Sequence, residues 1–174
     1  MIDRATARDL AAKEALQGLQ IDDTQVQELR TGWFFPYRGT DPDPRNPPLG
    51  TNGVIVNKQT GARFSLGSAF PVDRDLALYD KGYQFHSYAL VVTKIADMEG
   101  SLDSLVALEI SIVEPTYEHG TVWRIPRPLT RGELRSRLTK LPYVFDGLDL
   151  YFQAEALEEA RERGFFEFEL MGCP

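Results

Sequence analysis

The chain carries two histidines, His86 and His119, and a single cysteine, Cys173. Acid–base work, metal ligation and nucleophilic attack draw first on these side chains, so their placement decides which chemistry is open. His86 lies just before a predicted strand, and His119 sits in a predicted hairpin loop. Neither has the helical spacing of a HExxH zinc site, and each reads as a solvated histidine. Cys173 stands beside Pro174, a position without the surroundings that activate a thiolate. One cysteine makes no intramolecular disulfide and no Cys-rich metal site. There is no GxSxG elbow for a serine nucleophile, and neither GxxxxGK[ST] nor GxGxxG for a phosphate. The GTNG at 50–53 leads into a strand, so no helix N-terminus backs an anion there. Carboxylates are abundant, among them Asp41, Asp43, Glu99, Asp103, Glu114, Glu118, Asp146 and Asp149. A working acid–base pair among them has to be assembled by the fold. The LEEARER run reads as a solvated helix face. The residues alone therefore nominate no catalytic, cofactor-binding or metal-binding side chain.

The chain has 174 residues, 43% hydrophobic and 26% charged, which suits one domain or two small lobes sharing a core. The formal net charge of −7 repels nucleic-acid backbones and anionic membranes, and favours a basic partner. The first twenty residues are charged and helical in pattern, without the apolar core of a signal peptide. No segment is long and apolar enough to span a membrane. The expectation is a cytoplasmic protein.

The elements that must position any site follow from periodicity. Thr6 is expected to cap a helix running to about Leu19, with Ala7, Leu10, Ala11 and Ala15 on one stripe. Residues 25–37 alternate as one strand. Leu29, Trp33, Phe35 and Tyr37 share one parity, while Phe34 points the other way. Residues 39–53 hold four prolines and three glycines and read as a long loop, a kind that is often functional. GVIVN and ARFSLG form a hairpin around KQTG, with Gly61 supplying the positive φ. VDRDLALYDKGY is a short helix capped by Asp73. SYALVVTKIAD is a buried strand. SLVALEISIVEPTYEHGTVWRIPR is another hairpin, with PTYEHG as its loop. Thr130 opens a helix with Glu133 completing a capping box. LDLYFQAEALEEARERG is a helix stopped by Gly164, and FFEFEL is a final strand. The fold class is α+β, an antiparallel sheet with helices packed mainly on one face. A boundary near residue 84 separates residues 1–84, an α-β-β-β-α region, from 85–174, a β-rich α+β region expected to pack against the first.

Over about residues 5–83 the chain resembles the immunity protein 35 family, also described as the YrhB-like domain. The resemblance rests on Gly32-Trp33-Phe34-Phe35, on Leu49-Gly50-Thr51-Asn52-Gly53 and on the segment from Val54 through Gly61. LGSAFPVDRDLALYDKGY continues it. Thr51 splits the family's Gly-Asn pair, and Gly53 stands where the family has proline. Residues 85–174 match no named pattern. The resemblance implies a bacterial immunity protein that binds and neutralises a cognate polymorphic toxin without catalysis. The acidic charge and the missing motifs, read separately, point to no nucleic-acid, membrane or cofactor partner.

Two other readings stay open: a chaperone-like protein-binding domain, and a small hydrolase whose acidic groups the fold assembles. Binding needs aromatic and arginine anchors ringed by polar groups. On that ground the candidate contact residues are Phe34, Tyr37, Arg38, Asp41, Asp43 and Arg45 on the aromatic stem and its loop. Glu114, Tyr117, Glu118 and His119 on the second hairpin join them.

Overall fold

The computed structural model describes residues 1–40 and 50–173. The chain divides into two compact units, residues 1–84 and 85–174, and the elements of both are α+β with antiparallel sheets.

The first unit opens with α1 (Arg4–Ala12). Its cap is Asp3, not Thr6: the Asp3 carboxylate accepts the Thr6 N–H at 2.8 Å. The helix ends at Ala12, well short of Leu19. The chain then turns at Gly18, φ +85°, so that β1 (Leu19–Ile21) can pair with the end of β3 (Gly32–Gly39). The single strand expected over 25–37 is broken. β2 (Gln27–Glu28) folds back on β3 through a turn in which Leu29 N–H donates to the Gly32 carbonyl. β4 (Thr51–Asn57) and β5 (Arg63–Gly67) complete the order β1-β3-β4-β5. The β4–β5 turn forms as its sequence dictates. Gly61 adopts φ +72°, and the Asn57 carboxamide oxygen accepts from the N–H groups of Gln59 and Thr60.

Both faces of this sheet are covered. Phe35, Val54 and Val56 pack with Ala7 and Ala11 of α1, and Trp33 and Tyr37 lie half-buried against that cluster. On the opposite parity, Phe34 pairs with Ile55, and Ile55 with Phe64. The Phe64 ring meets Tyr79 of α2 (Val72–Lys81) at 5.7 Å. Gly32 is required on this face: a β-carbon there would stand 2.7 Å from Ile55 Cγ2 and 3.2 Å from the Tyr79 ring. Phe34 is consequently 2% exposed, and its expected role as a contact residue is overturned. A strand sandwiched between two helices has no outward parity. In α2 the N-cap is Pro71, and Asp73 lies within the first turn, where its charge favours the helix dipole.

The second unit contains β6 (Ser87–Ile95), α3 (Met98–Ala107), β7 (Ser111–Glu118) and β8 (Thr121–Pro128). α4 (Arg131–Arg137), β9 (Tyr143–Asp149), α5 (Leu150–Arg163) and β10 (Phe166–Cys173) follow. β6 is the centre of the sheet β10-β6-β9, while among the described residues β7 and β8 pair only with each other. α3 replaces the start of the expected hairpin. The Asp97 carboxylate accepts the Glu99 N–H at 3.1 Å, and Leu102, Leu105 and Leu108 are fully buried. The helices at Thr130 and before Gly164 form as predicted, the first with its capping box complete. Here one sheet face carries the core. Tyr88, Leu90, Val92, Phe145 and Phe166 are buried, whereas Val144 and Met171, on the other parity, are exposed. α5 lies over the covered face, where the Arg161 guanidinium sits 5.4 Å from the Phe168 ring. Among the described residues no helix is long and apolar enough to cross a membrane.

Candidate functional site

The segment from Ser111 to Pro128 folds into a two-stranded ribbon. Its turn is two residues, His119 and Gly120, with φ of +48° and +80°. Positive φ at both positions is the signature of a type I′ turn, whose twist matches that of the flanking strands. The expected loop PTYEHG is thereby corrected. Of the four candidates, Glu114, Tyr117 and Glu118 are strand residues and His119 alone lies in the turn. The register pairs Glu118 with Thr121, Tyr117 with Val122 and Thr116 with Trp123. It continues with Pro115 opposite Arg124, Glu114 opposite Ile125 and Val113 opposite Pro126.

Directly opposed residues share a face. One face therefore carries Val113, Pro126, Arg124, Tyr117 and Val122, and the other carries Ile125, Trp123, Glu114 and Glu118. Both present large apolar side chains to solvent. Tyr117 is 72% exposed and Val113 60% on the first face, and Trp123 is 52% exposed and Ile125 56% on the second. An isolated two-stranded ribbon is marginal in water, and contiguous exposed apolar surface usually marks an interaction site.

The prolines say how such a surface is used. Pro115, Pro126 and Pro128 fall in pairs separated by two residues, so they belong to one class of the antiparallel alternation. Proline has no N–H to donate, so that class is the one whose amides point away from the partner strand. Each proline thus removes a donor from an open edge of the ribbon, which disfavours the addition of another strand. The faces are left as the working surfaces.

Arg127 anchors the base. It donates from Nε and Nη2 to the Glu114 carboxylate at 2.8 and 2.6 Å, and from Nη1 and Nη2 to the Glu133 carboxylate at 2.9 and 2.7 Å. Glu133 also accepts from the Thr130 N–H, so one guanidinium ties the ribbon to the start of α4. Arg127 and then Thr130 hold the Glu133 carboxyl far below the ordinary carboxylate range, and Arg127 lowers Glu114 as well. A carboxyl lowered by folding adds stability that is complete above its unfolded value of about 4.3 and is lost as pH falls through its folded value. Thermal unfolding of the protein and of Arg127→Gln should therefore differ by a constant amount above about pH 5 and converge in acid. A gap that widens in acid contradicts the clamp. Beside the ribbon's base, Ile110, Ile112, Leu129, Arg137, Tyr143 and Asp146 are among the residues lining an open cleft of about 500 Å³.

The remaining candidates lie elsewhere. Tyr37 is half-buried and its hydroxyl donates to the Ala11 carbonyl at 2.9 Å. Burial, and then Glu14, push its phenol up to about 12. It is a core residue that braces α1. Arg38 is exposed on β3 opposite Gln20. Asp41, Asp43 and Arg45 lie outside the described residues. The ribbon brings together Glu114, Tyr117, Glu118 and His119, and adds Val113, Val122, Trp123 and Ile125, which sequence reasoning did not nominate. The available signal was apolar residues on both parities of a hairpin. Among the described residues no cluster of three or more His, Cys, Asp or Glu side chains is placed to hold a metal ion. No known protein family, no curated protein and no solved structure matches the chain.

Proposed function

We propose that this chain is a bacterial immunity protein that acts in the cytoplasm, binding a cognate toxin stoichiometrically and transforming no substrate. The observation that carries the proposal is the β7–β8 ribbon, which exposes aromatic and aliphatic side chains on both faces while its prolines guard both edges. Such a surface fits one folded partner and resists indiscriminate strand pairing. Supporting it are the resemblance of residues 5–83 to the immunity protein 35 family and the net charge of −7, which favours encounter with a basic protein.

The exposed apolar surface also favours the chaperone-like reading. The two separate on specificity, since a chaperone suppresses aggregation of unrelated proteins and an immunity protein protects against one. Co-expression with the protein encoded beside this gene is the test. Restored growth together with a co-purifying complex is the expected result. Growth arrest that persists at matched expression contradicts the proposal.

A further inference from the structure

We infer that the β7–β8 ribbon enters a cleft of its protein partner and is gripped on both faces, with one cleft wall basic and the other acidic. This deepens the neutralisation reading and rests on it. The first argument is area. Each strand has eight residues, so at about 3.3 Å per residue and about 4.8 Å between strands one face covers a footprint of roughly 250 Å². A stable protein interface takes about 800 Å² from each partner. Contact with a single face falls well short of that, and it leaves large side chains of the other face in water. Both faces together offer roughly 500 Å² before the turn is counted, which comes closer to that area and uses the whole apolar surface.

The second argument is charge. Glu114 is ion-paired with Arg127, which it shares with Glu133, whereas Glu118 and Arg124 have no ion-pair partner among the described residues. The register puts them on opposite faces: Glu118 with Trp123 and Ile125, Arg124 with Tyr117 and Val122. A cleft that complements the ribbon is therefore apolar on both walls. It is cationic where it meets Trp123 and anionic where it meets Tyr117. Like charges at either wall would be repelled, so this asymmetry fixes which way round the ribbon inserts.

Thiol protection reads the insertion directly. In a Cys173→Ser background, Val113→Cys labels one face, Ile125→Cys labels the other, and Gln59→Cys in the β4–β5 turn serves as reference. Each variant that keeps the parent melting temperature is treated with a maleimide, alone and with the purified protein encoded by the neighbouring gene. With that protein at about ten times its Kd, roughly nine-tenths of the chain is bound, and labelling should slow about tenfold at both ribbon positions and not at the reference. Protection of one face alone, or of neither while the complex forms, overturns the insertion mode and leaves neutralisation standing. Failure to form any complex overturns the neutralisation reading, and the insertion mode with it.

Discussion

Replacing Trp123 with alanine is expected to weaken the toxin complex by about 30-fold or more, the size of an interface hot spot worth about 2 kcal/mol. Trp123 is the largest side chain that the ribbon exposes, and it stands third in β8, near the turn and opposite Thr116. Tryptophan and tyrosine dominate such hot spots because they cover much area with few rotatable bonds. The same residue packs into no core, so its loss should change folding stability by no more than about 1 kcal/mol, the upper range of a cross-strand pair. Binding titrations and thermal melts of one preparation separate the two effects. Tyr117→Ala should behave in the same way from the opposite face. An affinity within twofold of the parent for both variants would exclude the ribbon as the principal contact.

Phe34→Ala should do the reverse. Its ring is buried between β4 and the α2 side of the sheet, and a β-carbon added at Gly53 would meet it at 2.7 Å. Truncating a packed phenylalanine typically costs about 3–5 kcal/mol, through lost burial and the cavity that remains. A small domain has little more than that to lose. Urea unfolding should show a large drop in midpoint, while affinity per folded molecule stays unchanged. A stable Phe34→Ala protein with impaired binding would return this residue to the surface role that its parity alone suggests.

The contrast between Phe34 and Trp123 shows what the residue pattern can convey. Alternation reports asymmetry between two faces of a strand. β3 has aromatic residues on both parities because a helix lies on each side. The alternation of a two-sided strand therefore reads as one-sided, with Phe34 as the exception. The ribbon presents the same ambiguity with the opposite outcome: apolar side chains on both parities, and no layer of described residues over either. Local sequence does not say whether a second layer exists. Where the decision is local, the reading is sound. Gly61 turns the β4–β5 hairpin, Thr130 and Glu133 cap α4, Gly164 ends α5, and Phe166, Phe168 and Leu170 share a face of β10. α3 is hidden in the sequence because its leucines run directly into the β-branched residues of β7. β9 is hidden because Asp146 and Gly147 interrupt a short strand. Thr6 lost its expected cap role to Asp3, three residues earlier, whose carboxylate reaches the Thr6 amide.

If the protein encoded beside this gene is the proposed toxin, the most direct test is a titration of its activity with the purified chain at concentrations well above Kd. Binding without turnover predicts a linear fall in activity that reaches zero at one equivalent and stays there, with both proteins recovered unaltered. Complete inactivation by a small fraction of an equivalent, progressing with time, would mean that this chain modifies its target, and the account would be wrong.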